Sequence, residues 1–233
     1  MKNKKVALFG DSLLKGVVLD QNNKYTFADV NWGYIQNQLC VDIQNKARFG
    51  CDVTKGQKIV NDVLKIDDSF DVAVVEYGGN DSDYIWSQVA EHPLQKHNPK
   101  TLLPEFEAKL DSIVQQLKNN GKKVVMMSLP PLEPNRYLKW ISQNDEQKQN
   151  SILKFLGDVD IIYRRQEMYS NTVTKVAYKN GCDFVDVRQK FLQSDNFPDL
   201  MCLDGIHANE RGQKVMIDAF VDYFKNTQLA FAN

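Results

Sequence analysis

The sequence has 233 residues, and its 29 Lys and Arg against 30 Asp and Glu give a formal net charge of −1. With 42% hydrophobic and 25% charged residues, the composition is that of a folded globular chain and excludes extensive disorder. A nucleic-acid-binding protein would show a basic excess, and a transmembrane helix would need about eighteen consecutive apolar residues; the sequence has neither.

Alternating strand and helix patterns run along the whole chain. Apolar runs typical of buried strands occur at residues 6–9, 72–75, 124–127 and 184–187, with a weaker one at 41–49. Helical spacing of apolar residues occurs at 32–39, 59–64, 102–117, 163–178 and 215–224. Asn-Gly pairs at 120–121 and 180–181 should end two of these helices. The pattern predicts an α/β fold of three layers, with helices on both faces of a parallel sheet.

The length predicts one domain over 1–233, with insertions at about 82–100 and 132–160. Four cysteines form no Cys-x-x-Cys pair and match no zinc spacing. The apolar run after the N-terminal lysines is too short for a signal peptide. We therefore expect reduced, mostly buried thiols and a cytoplasmic protein. We expect no metal or cofactor, because no His-x-x-x-His pair or carboxylate-rich cluster appears.

Polar residues with catalytic potential follow the predicted strands. Ser12 follows the first strand, Gly50 the second, Asn80 the third, and Asp204 and His207 follow the fifth beyond a loop. The carboxyl ends of parallel strands meet at one edge of the sheet, where such folds place their sites. A hydroxyl nucleophile, oxyanion donors, a base and an acid that orients the base are what acyl transfer requires.

Each of these residues also has a structural interpretation. Ser12 could be the N-cap of a helix beginning at residue 13, and Gly50 a turn residue with positive φ. Residues 78–81 could form only a tight turn, and Asp204 and His207 could cap the helix near residue 210. The other histidines, His92 and His97, lie in a polar loop and are interpreted as solvated.

Taken together and in this order, the motifs Gly10-Asp11-Ser12-Leu13, Gly50, Gly78-Gly79-Asn80-Asp81 and Asp204-Gly205-Ile206-His207 resemble the four sequence blocks of the GDSL, or SGNH, hydrolases. The resemblance extends from residue 6 to about residue 216. It implies a flavodoxin-like fold with a five-stranded parallel sheet. No G-x-S-x-G, G-x-G-x-x-G or P-loop motif supports another family.

The resemblance also implies roles for the matching residues. Ser12 corresponds to the nucleophile, and its backbone N–H to one oxyanion donor. Gly50 corresponds to a backbone donor and Asn80 to a side-chain donor of the same oxyanion hole. His207 corresponds to the general base and Asp204 to its orienting acid. Where the family often has Pro after the histidine, this chain has Ala208.

Asp11 is an alternative partner for His207, because it is adjacent to Ser12. We interpret Asp11 as structural, bonding the backbone of neighbouring loops. Asp204 lies three residues before His207 and can reach its Nδ1 within one turn.

Both insertions begin at strand ends, so we expect them to border the site. Their aromatic residues could line an acyl or sugar pocket, or they could form a separate core or a subunit contact. The basic pair Arg164-Arg165 is interpreted as a solvated helix face. The oligomeric state stays open.

Two alternative functions are consistent with these sequence motifs. The first is a serine hydrolase that cleaves small-molecule carboxylic esters, with acyl or acetyl groups and carbohydrates among the candidates, through an acyl-enzyme. The alternative is a non-catalytic ligand-binding or scaffold protein on the same fold. Ser12, Asn80, Asp204 and His207 together favour the enzyme, because a non-catalytic protein has no need of all four.

Overall fold

The computed structural model describes residues 3–30 and 32–231; the remaining residues of the domain predicted over 1–233 lie outside the described ones. The strands are β1 (Lys4–Phe9), β2 (Val17–Leu19), β3 (Tyr25–Phe27), β4 (Val41–Asn45), β5 (Val72–Val75), β6 (Lys123–Met127) and β7 (Asp183–Val185). The α-helices are α1 (Ser12–Lys15), α2 (Trp32–Leu39), α3 (Val53–Ile66), α4 (Gly79–Ser82), α5 (Trp86–Glu91), α6 (Leu103–Asn119), α7 (Pro134–Ile141), α8 (Glu146–Leu156), α9 (Asp160–Lys179), α10 (Val187–Leu192) and α11 (Glu210–Phe231).

Five of these strands form the central sheet, in the order β4-β1-β5-β6-β7. Every pairing in it is parallel. This order and the helices on both faces confirm the predicted flavodoxin-like three-layer α/β fold. Chain order reverses between β1 and β5, so a crevice opens at their carboxyl ends, and the motif residues follow these two strands directly.

Alternate residues of the strands enter two different cores. On one face, Ala7 and Phe9 join a core with helices α3, α6 and α9. On the other face, Val6 and Leu8 join a core with helices α2 and α11. Because both faces of β1 are buried from Val6 to Phe9, this part of the strand is apolar throughout and fixes the position of the turn that follows it.

The predicted strands at 41–49 and 184–187 are longer than the observed ones. The second sheet strand ends at Asn45, whose side chain accepts a hydrogen bond from the Ala47 N–H. Strand β7 ends at Val185, because the Asp186 side chain accepts the Gln189 N–H and caps helix α10. In both cases a short polar side chain bonds nearby backbone and ends the strand.

Helices occupy much of the two expected insertions. Helix α5 lies within residues 82–100, and helices α7 and α8 lie within 132–160. Their apolar side chains pack together in a third core, which includes Tyr84, Trp86, Tyr137 and Leu156.

Candidate active site

The carboxyl ends of the strands bring the motif residues together. Ser12, Gly50, Asn80 and His207 line one cavity of about 150 Å³. Asp204 lies behind His207 and is fully buried. The sheet therefore gathers residues separated by up to 195 positions in the chain.

A continuous hydrogen-bonded chain joins three of these side chains. His207 Nε2 lies 2.8 Å from Ser12 Oγ, and His207 Nδ1 lies 2.6 Å from Asp204 Oδ2. The other oxygen, Asp204 Oδ1, accepts the backbone N–H groups of Ile206 and His207, each at 3.1 Å. These two bonds hold the carboxylate in the orientation that faces the imidazole. The arrangement can move a proton from the hydroxyl to the imidazole.

The structure does not support the capping interpretation of these residues. Asp11 is the N-cap of α1, because its Oδ1 accepts the Leu13 N–H at 2.9 Å. Asn209 bonds the first turn of α11 through its side chain, which accepts the Gly212 N–H at 3.1 Å. Neither Ser12 nor Asp204 is needed as a helix cap.

Asn80 is oriented by Asp11. The Asn80 side-chain amide donates to Asp11 Oδ2 at 2.9 Å. An amide nitrogen carries two N–H groups, so the second one can donate to a group in the cavity. The structure thus gives Asp11 the structural role expected of it and places Asp204, not Asp11, at His207 Nδ1.

Gly50 has a left-handed backbone, with φ of +64°, which glycine adopts at little cost. Its turn is tied to the Asn80 segment through Asp81. Both Asp81 oxygens accept the Val53 N–H, at 3.0 and 3.1 Å. Burial raises the pKa of Asp81 to about 6, while hydrogen bonds from Thr101 and Val53 oppose the shift.

Glu76 is a buried acid that sequence reasoning missed. It follows β5 directly and is fully buried, and its Oε2 accepts the Asp11 N–H at 3.2 Å. Burial raises the pKa of Glu76 well above its ordinary value, and the adjacent Asp11 carboxylate raises it further. Burial also raises the pKa of Asp11, although hydrogen bonds such as that from Leu13 oppose this. Two carboxyl groups in contact cannot both ionise readily, so we assign the proton to Glu76 at neutral pH.

Replacing Glu76 with Gln should stabilise the protein at alkaline pH. The unfolded chain ionises this group near the ordinary glutamate pKa of 4.5, whereas the folded chain keeps the proton to a higher pH. The unfolding free energy of the wild type therefore falls as pH rises above about 4.5, whereas Gln has no proton to lose. Calorimetry at pH 8 should show a Tm several degrees higher, at roughly 2–4 °C per kcal/mol in a domain of this size.

The Tm difference between Glu76→Gln and wild type should shrink as pH falls toward 4.5. The matched control is Glu91→Gln at an exposed site, which should change Tm little at any pH. A Tm gain for Glu76→Gln that is absent at pH 8, or equal at every pH, would show that Glu76 is ionised in the folded protein.

Two aromatic side chains that sequence reasoning missed contact His207. Tyr25, in the ribbon of β2 and β3, meets the imidazole edge to face with ring centroids 5.1 Å apart. The Phe49 ring stacks nearly parallel to it at 6.1 Å. Strands of only three residues are too short to give a sequence signal for this ribbon. The two rings cover the imidazole and restrict its rotation.

The expected insertions contribute directly to the cavity wall. Three aromatic side chains of the insertions line the cavity and also belong to the third core: Tyr84, Trp86 and Tyr137. They therefore form both a pocket wall and a separate core, which the sequence analysis had treated as alternatives. Asp83 Oδ1 accepts hydrogen bonds from the Trp86 indole and the Tyr137 hydroxyl, each at 2.6 Å. Asp83 Oδ2 pairs with Lys100 at 2.8 Å. These bonds fix this wall of the cavity.

The interpretation of the basic pair Arg164-Arg165 as a solvated helix face is wrong for Arg165. Arg164 is exposed, as expected, but Arg165 is half-buried and lines the cavity.

The two other histidines were interpreted as solvated, and this holds for His92, which is exposed. His97 is half-buried; its Nε2 bonds the His92 carbonyl, and its ring contacts the Phe155 ring. Neither histidine lines the cavity.

The described residues lack both a metal-ligand cluster and a membrane-spanning helix. Residues 3–30 and 32–231 contain no group of three or more His, Cys, Asp or Glu side chains that could hold a metal ion. None of the helices within those residues is long and apolar enough to cross a membrane.

Comparison with protein families gives one match that covers most of the sequence. The family described as "GDSL-like Lipase/Acylhydrolase family" matches residues 8–215. No match is found among curated protein sequences.

Solved structures provide a second comparison. A lipase/acylhydrolase from Enterococcus faecalis is 17% identical, with a TM-score of 0.67 and 96% of each chain covered. A variant of an acetyl xylan esterase from Geobacillus stearothermophilus is 21% identical, with a TM-score of 0.64 and coverage of 96% of this chain and 97% of that one. An α/β hydrolase from the metagenome of Lake Arreo, also 21% identical, has a TM-score of 0.64 and 95% coverage of both chains. At such identities these likenesses show the fold.

Proposed function

The chain belongs to the GDSL-like Lipase/Acylhydrolase family and is an esterase or acylhydrolase, and from this premise we propose that it cleaves carboxylic esters with Ser12 as the nucleophile. The observation that carries the proposal is the hydrogen-bonded series from Ser12 Oγ through His207 to Asp204, at 2.8 and 2.6 Å. A serine hydroxyl is a poor nucleophile until a base takes its proton, and this series supplies the base.

The reaction proceeds in two halves. In the first, Ser12 Oγ attacks the ester carbonyl carbon while His207 Nε2 takes the hydroxyl proton. The tetrahedral intermediate collapses, His207 returns the proton to the departing alcohol, and an acyl group stays on Ser12. In the second, His207 takes a proton from water, the hydroxide attacks the acyl carbon, and the carboxylic acid leaves as Ser12 regains its proton.

Asp204 and the oxyanion donors stabilise charge in both halves. Asp204 holds the imidazole in the tautomer that presents Nε2 to Ser12 and stabilises the imidazolium that forms. The second Asn80 N–H and the backbone N–H groups of Ser12 and Gly50 are assigned to the oxyanion. Preorganised donors of this kind cost no reorganisation at the moment of reaction.

The cavity supports a short acyl group. A protein cavity of about 150 Å³ holds a molecule about the size of benzene, so an acetyl or other short acyl chain fits within it. Esters of carbohydrates are the candidate substrates, with the aromatic wall as a surface for the sugar. The likeness in fold to an acetyl xylan esterase agrees with this choice.

A panel of esters tests this function. We expect 4-nitrophenyl acetate and butyrate to be hydrolysed with kcat/KM at least 10-fold above that of the octanoate, together with release of acetate from acetylated xylooligosaccharides. Equal rates for the octanoate would contradict the short acyl group, and no hydrolysis of any member would contradict the function.

Replacing Asn80 with Ala should lower kcat by roughly 10²–10³-fold with little change in KM, because the lost donor acts mainly in the transition state. Steady-state kinetics with 4-nitrophenyl acetate measure both constants. Asn135→Ala, at an exposed position, is the matched control and should be unchanged. A rise in KM at constant kcat would show that Asn80 binds substrate without stabilising the oxyanion.

A further inference from the structure

Arg165 is the cationic side chain of the catalytic cavity. It projects from α9 into the lining that also includes Ser12, Asn80 and His207. Its guanidinium carbon lies 4.8 Å from the Tyr84 ring centroid and 5.2 Å from that of Phe155. Contact with these two rings shields part of the guanidinium from water and restricts its movement.

One nitrogen of this guanidinium lacks a partner. Arg165 Nη1 is buried and has no hydrogen-bond acceptor within residues 3–30 and 32–231. Arginine stays charged in proteins and carries five donors. A buried donor without a partner is costly, and more so when it belongs to a charged group, so the described residues leave this guanidinium incompletely bonded.

The carboxylates of the cavity are already engaged elsewhere. Asp83 is neutralised by Lys100 at 2.8 Å and bonded to two aromatic side chains. Asp11 is buried and bonded to Leu13 and Asn80. In the described part of the chain, Arg165 forms no salt bridge, so its charge is uncompensated at the cavity wall.

A second arginine lies behind the same wall. Arg188 is buried, and its Nη1 donates to Gln166 Oε1 at 2.9 Å and to the Leu129 carbonyl at 3.2 Å. Gln166 in turn lines the cavity. Arg188 therefore adds a second positive charge beside the cavity, in a medium where charges are poorly screened.

We propose that Arg165 forms an anion subsite, and that the natural substrate is an ester bearing a carboxylate close to the scissile bond. This rests on the proposed ester hydrolysis by Ser12. A carboxylate in the cavity neutralises the guanidinium, whose planar array of N–H donors suits carboxylate oxygens.

Matched pairs of charged and neutral esters test the subsite. Monoethyl succinate and ethyl succinamate differ only in the charge of the acyl end; 4-acetoxybenzoate and 4-acetoxybenzamide differ likewise on the alcohol side. For each pair, the kcat/KM ratio of charged to neutral ester is measured in the wild type, Arg165→Gln and Arg164→Gln. Comparing ratios within a pair cancels any general loss of activity in a variant.

For at least one pair, the ratio should fall by about 10–100-fold in Arg165→Gln, as expected for a lost charge-assisted hydrogen bond. Arg164→Gln, exposed on the same helix, should leave the ratio unchanged. The pair that responds identifies the side of the ester that carries the anion. Unchanged ratios for both pairs in Arg165→Gln, including the case in which all four esters lose activity equally, would overturn the subsite.

A measurement on the wild type covers the case in which Arg165→Gln does not fold. Succinate should inhibit 4-nitrophenyl acetate hydrolysis competitively at a concentration at least 10-fold lower than succinamide, at constant ionic strength. Equal inhibition would overturn the subsite while ester hydrolysis still stands. Failure of the proposed function is a different result, namely no hydrolysis of any ester by the wild type.

Discussion

Replacing Ser12 with Ala should lower kcat/KM for 4-nitrophenyl acetate by at least about 10⁴-fold, because the nucleophile is removed and the remaining groups can only assist direct attack by water. The fold should be unaffected. Ser12 is not the cap of α1, since Asp11 accepts the Leu13 N–H, and the lost hydroxyl faces a cavity rather than a packed core. Kinetics and Tm, measured on the same preparation, separate the two effects.

Ser82→Ala is the matched control for Ser12→Ala. Ser82 is also buried and lines the same cavity, but its hydroxyl donates to the Gly79 carbonyl at 3.0 Å and contacts no base. We expect its kcat/KM within about 10-fold of wild type, a loss of one ordinary hydrogen bond. A folded Ser12→Ala enzyme with activity comparable to Ser82→Ala would show that Ser12 is not the nucleophile.

Replacing Asp204 with Asn should lower kcat by roughly 10³–10⁴-fold while KM changes little. The amide can donate to His207 Nδ1 and so favours the tautomer that carries its proton on Nε2, which cannot accept the Ser12 proton. The hydrogen bonds from the Ile206 and His207 backbones to Asp204 Oδ1 remain available to the amide oxygen, so the loop should keep its position.

Asp11→Asn distinguishes the two candidate acids. Asp11 bonds Leu13 and Asn80 and has no contact with His207 Nδ1 in the structure. We expect its loss to disturb the orientation of Asn80 and to cost far less than the loss of Asp204. A nearly harmless Asp204→Asn variant beside an inactive, folded Asp11→Asn variant would reverse the assignment.

Sequence patterns predicted the sheet and the position of the site for a physical reason. A segment buried on both faces of a sheet is apolar throughout. The β1 segment from Val6 to Phe9 and the whole of β5 are therefore visible as uninterrupted apolar runs, with polar residues shortly after them. Parallel strands in one sheet place those residues at one edge. The convergence of Ser12, Asn80 and His207 therefore follows from local signals and topology together.

The residues that sequence reasoning missed depend on which side chains meet in three dimensions. Glu76 follows the last apolar residue of β5 and looks like an ordinary strand end in the sequence. Its raised pKa depends on burial and on its contact with Asp11, which are visible only in the folded chain. A lone acid directly after a wholly buried strand was the available signal. Tyr25 and Phe49 contact His207 from two distant segments, and neither segment has a strong pattern.

Arg165 illustrates the limit of charge patterns. Arg164 and Arg165 are adjacent, and helical geometry points neighbouring side chains about 100° apart. One therefore faces solvent while the other faces Tyr84 and the cavity. Which of the two arginines faces the cavity depends on how α9 packs against the insertions. The local sequence does not specify this packing.

Covalent labelling tests the central claim, that Ser12 is a nucleophile activated by His207. A fluorophosphonate should add once to the wild-type protein, abolish hydrolysis of 4-nitrophenyl acetate, and be found by peptide mass spectrometry on Ser12. Ser12→Ala should stay unlabelled, while Ser82→Ala should label as wild type does. A protein that hydrolyses esters yet carries the label on another residue, or carries none, would contradict the assignment of Ser12.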